Sequence, residues 1–202
     1  MIVRIFTAPS DYALDTLYTP DRDEVLIGVD KGAYHAVKSG LTLDVAIGDF
    51  DSTSPSETEA VRVNARRFIR HADEKDHTDT RLAFDEALKY DPERIVIYGG
   101  LTRRLDHTIG NLMLLRDERV SIRDDNTIVF AVSPGEHTLH NPYTYVSLFA
   151  LDDVKGLTLS GFKYPLENYD LHRYDGRCIS NEGSGRVAFI AGRLLVIMSK
   201  ED

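Results

Sequence analysis

The chain has 202 residues, of which 42% are apolar and 28% charged, with 14 Gly and 7 Pro. This composition suits one globular domain or two small ones, able to bury roughly 70% of the unfolded surface without disulfides, and it excludes collagenous and low-complexity chains. The net charge of −9 disfavours nucleic acid and anionic membrane as partners, because both repel an acidic surface; an anionic small substrate stays possible if metal ions supply local positive charge.

The first half alternates short apolar runs with stretches of helical periodicity. IVRIFT, VLIGV, LDVAIG, ARRFIR and RIVIYGG are predicted strands. Helices are predicted around Ala33 to Lys38, from Ser56 to Asn64 and from Thr78 to Lys89. In the last of these Leu82, Ala83, Ala87 and Leu88 share one face. Strands alternating with helices predict a parallel sheet covered on both sides. After the helical DHTIGNLMLLRDE the pattern changes. SIRDD, TIVFAVS, HTLH, YTYVSLFAL, LTLSG, RVAFIAG and LLVIMSK are short, often alternating, and separated by turn residues such as Ser133-Pro134-Gly135 and Gly183-Ser184-Gly185. That is the pattern of an antiparallel sandwich or barrel. The boundary is expected near residues 117–121, giving an α/β domain over 1–119 and a β domain over 120–202.

Cys178 is the sole cysteine. It can form neither an intramolecular disulfide nor a Cys-rich zinc site, which points to a reducing, cytoplasmic compartment. The N-terminal MIVRIFTAPSDYALD lacks the apolar core of a signal peptide, and no apolar run approaches the ~20 residues needed to cross a bilayer.

Three segments carry the chemistry, each between a predicted strand and a helix. In open α/β sheets that carboxyl edge is where ligands bind. Gly48-Asp49-Phe50-Asp51-Ser52 places two carboxylates two residues apart, on one side if the backbone stays extended. Such a pair repels unless a cation or proton sits between, and magnesium, an oxygen-seeking ion shared with phosphates, is the natural candidate; a polar turn is the plainer alternative. In Glu74-Lys75-Asp76-His77-Thr78-Asp79, Asp76 is expected to cap the following helix and Asp79 to fall in its first turn, where acidic residues are favoured anyway. The functional reading joins Asp79 to Asp49 and Asp51 on metal. In Tyr98-Gly99-Gly100-Leu101-Thr102-Arg103-Arg104-Leu105-Asp106-His107-Thr108 the glycines permit close approach to a ligand. Arg104 offers a planar fork to phosphate, and Asp106 either caps the next helix or accepts from a substrate group; His107 suits a helix start as well as a base. Weaker signals are Asp30 with Gly32-Ala33 after VLIGV, and Ser180-Asn181 in Ile179-Ser180-Asn181-Glu182. Neither a Walker-type loop nor a Gly-x-Gly-x-x-Gly fingerprint occurs.

Taken in order, VDKGA at 29–33, GDFDS at 48–52, KDHTD at 75–79, RLDH with Asn111 at 104–111, YPLEN at 164–168 and ISNE at 179–182 resemble the motifs of the thiamine pyrophosphokinases. Each is short; together they span nearly the whole chain. The resemblance implies a Rossmann-like α/β domain followed by a β-sandwich. It implies a homodimer with active sites between the α/β domain of one subunit and the β domain of the other, and Mg²⁺-dependent transfer of pyrophosphate from ATP to the hydroxyl of thiamine. Carried over by position, Asp49, Asp51 and Asp79 would hold magnesium. Asp30, Lys75, Thr78, Arg104, Asp106, His107 and Asn111 would line the nucleotide and phosphate site, and Ser180 and Asn181 would contact thiamine. Two departures stand out: Arg103 occupies a place where the family often has Gly, and Val196 one where some relatives have Trp. Transfer to another alcohol, such as a hydroxymethylpterin, and a non-catalytic thiamine- or nucleotide-binding module are the competing readings; the full carboxylate set argues against the module.

Overall fold

A computed structural model describes residues 1–8, 12–71 and 76–201. The fold is mixed α/β, and the chain divides into two units, Met1–Asp125 and Asn126–Asp202. No helix among the described residues is long and apolar enough to cross a membrane.

In the first unit the order is β1 (Ile2–Phe6), α1 (Leu14–Leu17), β2 (Glu24–Val29), α2 (Asp30–Lys38), β3 (Leu43–Gly48), α3 (Pro55–Val63), β4 (Ala65–Arg70), α4 (Asp79–Leu88), β5 (Arg94–Tyr98), α5 (Leu105–Leu112), a 3₁₀ turn (Met113–Arg116) and β6 (Val120–Arg123). The strands pair in parallel in the order β4-β3-β2-β1-β5-β6. Ile5 stands in register with Ile27 on one side and Ile97 on the other, and all three are fully buried. A sheet covered on both faces needs such unbroken apolar runs, and each buried side chain contributes about 1.5–3 kcal/mol. Gly32 lets α2 lie close on β1, since a Cβ there would stand 2.5 Å from the Phe6 carbonyl oxygen.

The helix starts follow local chemistry. α3 opens with a capping box: Ser54 Oγ accepts from Glu57 N, and Glu57 Oε2 accepts from Ser54 N at 2.8 Å. Both bonds satisfy donors the helix cannot. α4 is capped by Thr78, whose Oγ1 accepts from Arg81 N, so the cap expected at Asp76 lies two residues further on. α5 starts after Arg104 without a side-chain cap. Asp106, expected as a possible cap, is inside the helix and pairs with Arg104 instead.

The second unit is built of antiparallel strands: β7 (Thr127–Val132), β8 (Gly135–Leu139), β9 (Tyr145–Ser160), β10 (Leu166–Leu171), β11 (Asn181–Glu182), β12 (Gly185–Phe189) and β13 (Ala191–Ser199). The runs YTYVSLFAL and LTLSG, expected as two strands, form the single β9. Its first part pairs with β13 and β11, its last part with β10 and β12. A bulge near Gly192, where a Cβ would lie 2.5 Å from the Asp153 carbonyl oxygen, lets β13 follow the bend. Leu148, Val154, Leu157, Leu171, Val187, Leu194 and Val196 form the core of this unit. The division between units falls after Asp125 rather than between 119 and 120, because SIRDD contributes β6, which pairs parallel with β5.

Candidate active site

The strands of the first unit end at one edge, and the loops there carry the acidic residues. Asp30 follows β2 directly as the first residue of α2, at φ +45°. Its Oδ1 accepts the Phe50 N–H at 3.0 Å. Phe50 is itself left-handed, at φ +59°, a conformation that costs a bulky residue free energy. It is held there from two sides: its N–H by Asp30, its ring by stacking on Phe68 at 4.6 Å. Gly48 completes the turn, since a Cβ there would lie 1.8 Å from Asp30 Oδ1.

The extended backbone that would place Asp49 and Asp51 on one side is therefore absent. Asp49 Oδ1 accepts the Asp51 N–H at 3.1 Å, and Asp51 is exposed. The carboxylates brought together are Asp30, Asp49 and Asp79: each offers an oxygen, and these oxygens lie within 4.8 Å of one another. Asp79 reaches the trio from the first turn of α4. Three half-buried carboxylates converging in this way favour a cation among them, and an all-oxygen donor set suits a hard ion such as Mg²⁺.

Beside the trio opens a cleft of about 460 Å³. It is lined by Asp30, Asp79, Thr78, His107 and Asn111 among the residues expected at the site, and by Thr7, Ala8, Thr80 and Thr102. Asn111 is buried and donates through Nδ2 to the Gly100 carbonyl at 2.8 Å. Thr108 Oγ1 accepts from Thr102 N and donates to Thr102 O. These bonds fix the loop after β5, where Gly99 and Gly100 both have φ above +80°. Behind the loop Tyr98 is fully buried, stacks on Phe6 at 5.2 Å and accepts a hydrogen bond from Arg4. Arg104 and Asp106 do not line the cleft. They form an exposed pair at 2.7 Å, in which the hydrogen bond from Arg104 holds the Asp106 carboxyl below its usual pKa. Lys75 lies outside the described residues. Thr7 and Thr80 belong to none of the motifs and escape sequence reasoning. Their one signal is position: Thr7 follows β1 at the ligand-binding edge, and Thr80 follows Asp79.

In the second unit YPLEN and ISNE converge on a small cavity of about 150 Å³ lined by Tyr164, Leu166, Arg177, Ile179 and Asn181 among others.

Two family models match the chain in tandem: the thiamin pyrophosphokinase catalytic domain over residues 18–128, and the thiamin pyrophosphokinase vitamin B1 binding domain over residues 136–191. The chain belongs to the thiamine pyrophosphokinase family. It is 34% identical over 197 residues to the thiamine pyrophosphokinase of Bacillus subtilis (strain 168), covering 92% of each. The crystal structure of the Bacillus subtilis thiamine pyrophosphokinase superposes with a TM-score of 0.89 at 32% identity, over 100% of this chain and 99% of that one. That of the Geobacillus thermodenitrificans protein does so with a TM-score of 0.85 at 33% identity and the same coverage.

Among the residues that match motifs of the thiamine pyrophosphokinase family, Asn181 is buried and spends its amide on its own unit: Oδ1 accepts from Tyr164 N and Glu182 N, and Nδ2 donates to Tyr164 O. It pins YPLEN to ISNE. Ser180 next to it is exposed at φ +57°, its N–H held by Ser147 Oγ. Val196 is fully buried in the core of the second unit, so it offers no face on which a ligand ring can stack. Arg103 is exposed.

Proposed function

We propose that this chain transfers a pyrophosphoryl group from ATP to the hydroxyl of thiamine, giving thiamine diphosphate and AMP, the activity of the family to which it belongs. The observation that carries the reading is the convergence of Asp30, Asp49 and Asp79 within 4.8 Å beside a cleft of nucleotide size. In this reading the three carboxylates hold Mg²⁺, and Asp51 joins them from the solvent side of the same turn. When bound, the ion neutralises phosphoryl charge and aligns the attacking and leaving oxygens.

The residues of the chain do the rest. The thiamine hydroxyl oxygen attacks the β-phosphorus of ATP. The bond from that phosphorus to the α–β bridging oxygen breaks, AMP leaves with the oxygen, and the hydroxyl proton passes to one of the motif aspartates. The cleft residues Thr78, His107 and Asn111 position the nucleotide, with Lys75, Arg104 and Asp106 on the phosphate side. Ser180 grips thiamine, and Asn181 holds the segment that presents it. We further propose a Rossmann-like first domain, a β-sandwich second domain, and a cytoplasmic homodimer in which the second unit of one copy completes the site of the other. Cys178, buried with its thiol pushed up to about 11 by desolvation, is suited to a reducing compartment.

The test is product analysis. The purified protein is incubated with ATP, Mg²⁺ and thiamine, with and without EDTA, and products are identified by mass spectrometry. Equal amounts of thiamine diphosphate and AMP, abolished by EDTA, are expected. ATP converted to AMP without thiamine diphosphate would reject thiamine as the acceptor. Light scattering that gives a 22.7 kDa monomer under turnover conditions would reject the shared site.

A further inference from the structure

We infer that Thr7 and Thr80 form a hydroxyl pair that acts as one hydrogen-bond donor to a phosphoryl oxygen of the nucleotide. The inference deepens the proposed function and rests on it for the identity of the ligand. The two hydroxyl oxygens lie 3.2 Å apart. Both residues line the cleft, yet they are only 5% and 8% exposed. Each hydroxyl carries one hydrogen and can accept two bonds. A pair that shares one bond therefore has one hydrogen left over, and no second partner for it is found among the described residues. A buried donor without an acceptor costs about 1–3 kcal/mol, so a ligand oxygen in the cleft is the group this pair requires.

The surroundings select the ligand. Asp30, Asp76 and Asp79 also line the cleft and act as acceptors when ionised; a phosphoryl oxygen needs donors and a cation. Thr80 follows Asp79 in the first turn of α4, so a phosphoryl group that shares a metal with Asp79 arrives beside the Thr80 hydroxyl. Thr7 is fixed by its N–H, which donates to the Tyr98 carbonyl at 3.0 Å. The pair thus ties the first turn of α4 to β1 and β5 while holding a hydrogen toward the cleft.

The experiment measures binding of Mg²⁺ with α,β-methylene ATP, whose α–β bridge cannot be cleaved, by calorimetry on the full chain. Thr80→Val is expected to weaken binding roughly tenfold, the loss of a hydrogen bond to a charged group. Thr80→Ser should stay within about twofold of wild type, and the KM for thiamine should not move in either variant. If Val destabilises the protein, Thr80→Ala replaces it with the same expected loss and the same Ser rescue. Wild-type affinity in a folded Thr80→Val or Thr80→Ala protein would overturn the proposal, as would a Thr80→Ser protein as weak as the Val variant. If wild type binds the analogue and shows the Thr80 effect but makes no thiamine diphosphate, the reaction assignment falls and this one stands. If wild type does not bind the analogue, both fall.

Discussion

Asp30 Oδ1 and the Phe50 N–H meet at 3.0 Å, and both residues are in the left-handed region of backbone space. The bond joins the start of α2 to the turn after β3, so the acidic turn is shaped by a residue 20 positions away rather than by its own sequence. Gly48 belongs to the same clasp. Gly48→Ala would drive a Cβ to 1.8 Å from Asp30 Oδ1, and both groups are held by backbone. We predict a loss of about 2 kcal/mol or more in urea denaturation and a fall in kcat of at least ~10²-fold, since misplacing a catalytic group by about 1 Å costs that much.

The carboxylate trio predicts a coupling between metal and stability. A ligand that binds the folded state alone raises its stability in proportion to the logarithm of its concentration over Kd. Added Mg²⁺ should raise the Tm of the wild-type protein, and the rise should be smaller in Asp49→Asn and Asp79→Asn. Both variants, and Asp51→Ala, should lose thiamine diphosphate formation by ~10²-fold or more. Turnover near wild type in any of them would remove that residue from the metal site.

Tyr12 is 3% exposed, and its hydroxyl has no hydrogen-bond partner among the described residues. Desolvation pushes its pKa far up, so it stays neutral. Its ring meets His35 edge-on at 4.9 Å, a contact that phenylalanine would keep. Tyr12→Phe should therefore leave stability unchanged or raise it by about 1 kcal/mol, as read from denaturant midpoints. A loss above ~1 kcal/mol would mean the hydroxyl is satisfied.

Glu86 is 4% exposed on α4 and receives Arg67 at 2.7 Å and Lys89 at 2.6 Å. Burial alone would raise its pKa, but the bonds from Lys89 and Arg67 outweigh that and hold it below the usual value. Its folded pKa thus lies below the unfolded one of about 4.3. The stability it contributes is fully present above that value and is lost as pH falls through the folded pKa. Glu86→Gln should cost roughly 1 kcal/mol at about pH 7 and flatten the loss of stability below about pH 4; an unchanged acid limb would contradict the assignment.

The parallel strands were legible because a sheet buried on both faces demands continuous apolar runs, and IVRIF, EVLIGV and RIVIY supply them. β6 was legible as a strand, yet its place was not: SIRDD carries no mark that it pairs parallel with β5. β10 was missed because its pairing with β9 shifts register on both sides of Tyr169, which breaks the two-residue period that strand reading depends on. At the site, GDFDS and the aspartate at the start of α4 stood out from spacing. That Asp30 rather than Asp51 completes the closest trio did not, because the positive φ of Phe50 comes from contacts with Asp30 and Phe68, not from local preference. Asn181 stood out through the ISNE motif, but its bonds to Tyr164 did not, because they link segments 17 residues apart.

The central position of β1 bears on the order in which the protein forms. β1 is the first strand made, but one of its two edges waits for β5, which begins at Arg94. Pairings so distant in sequence are reached late, because loop closure must be met before contacts reward it. During synthesis a chain that ends after α4 already carries Asp30, Asp49, Asp51 and Asp79. It still lacks the Tyr98 carbonyl that fixes Thr7 and the glycine loop after β5, so the nucleotide affinity proposed for the cleft is expected to arrive with the fifth strand and not with the acidic motifs.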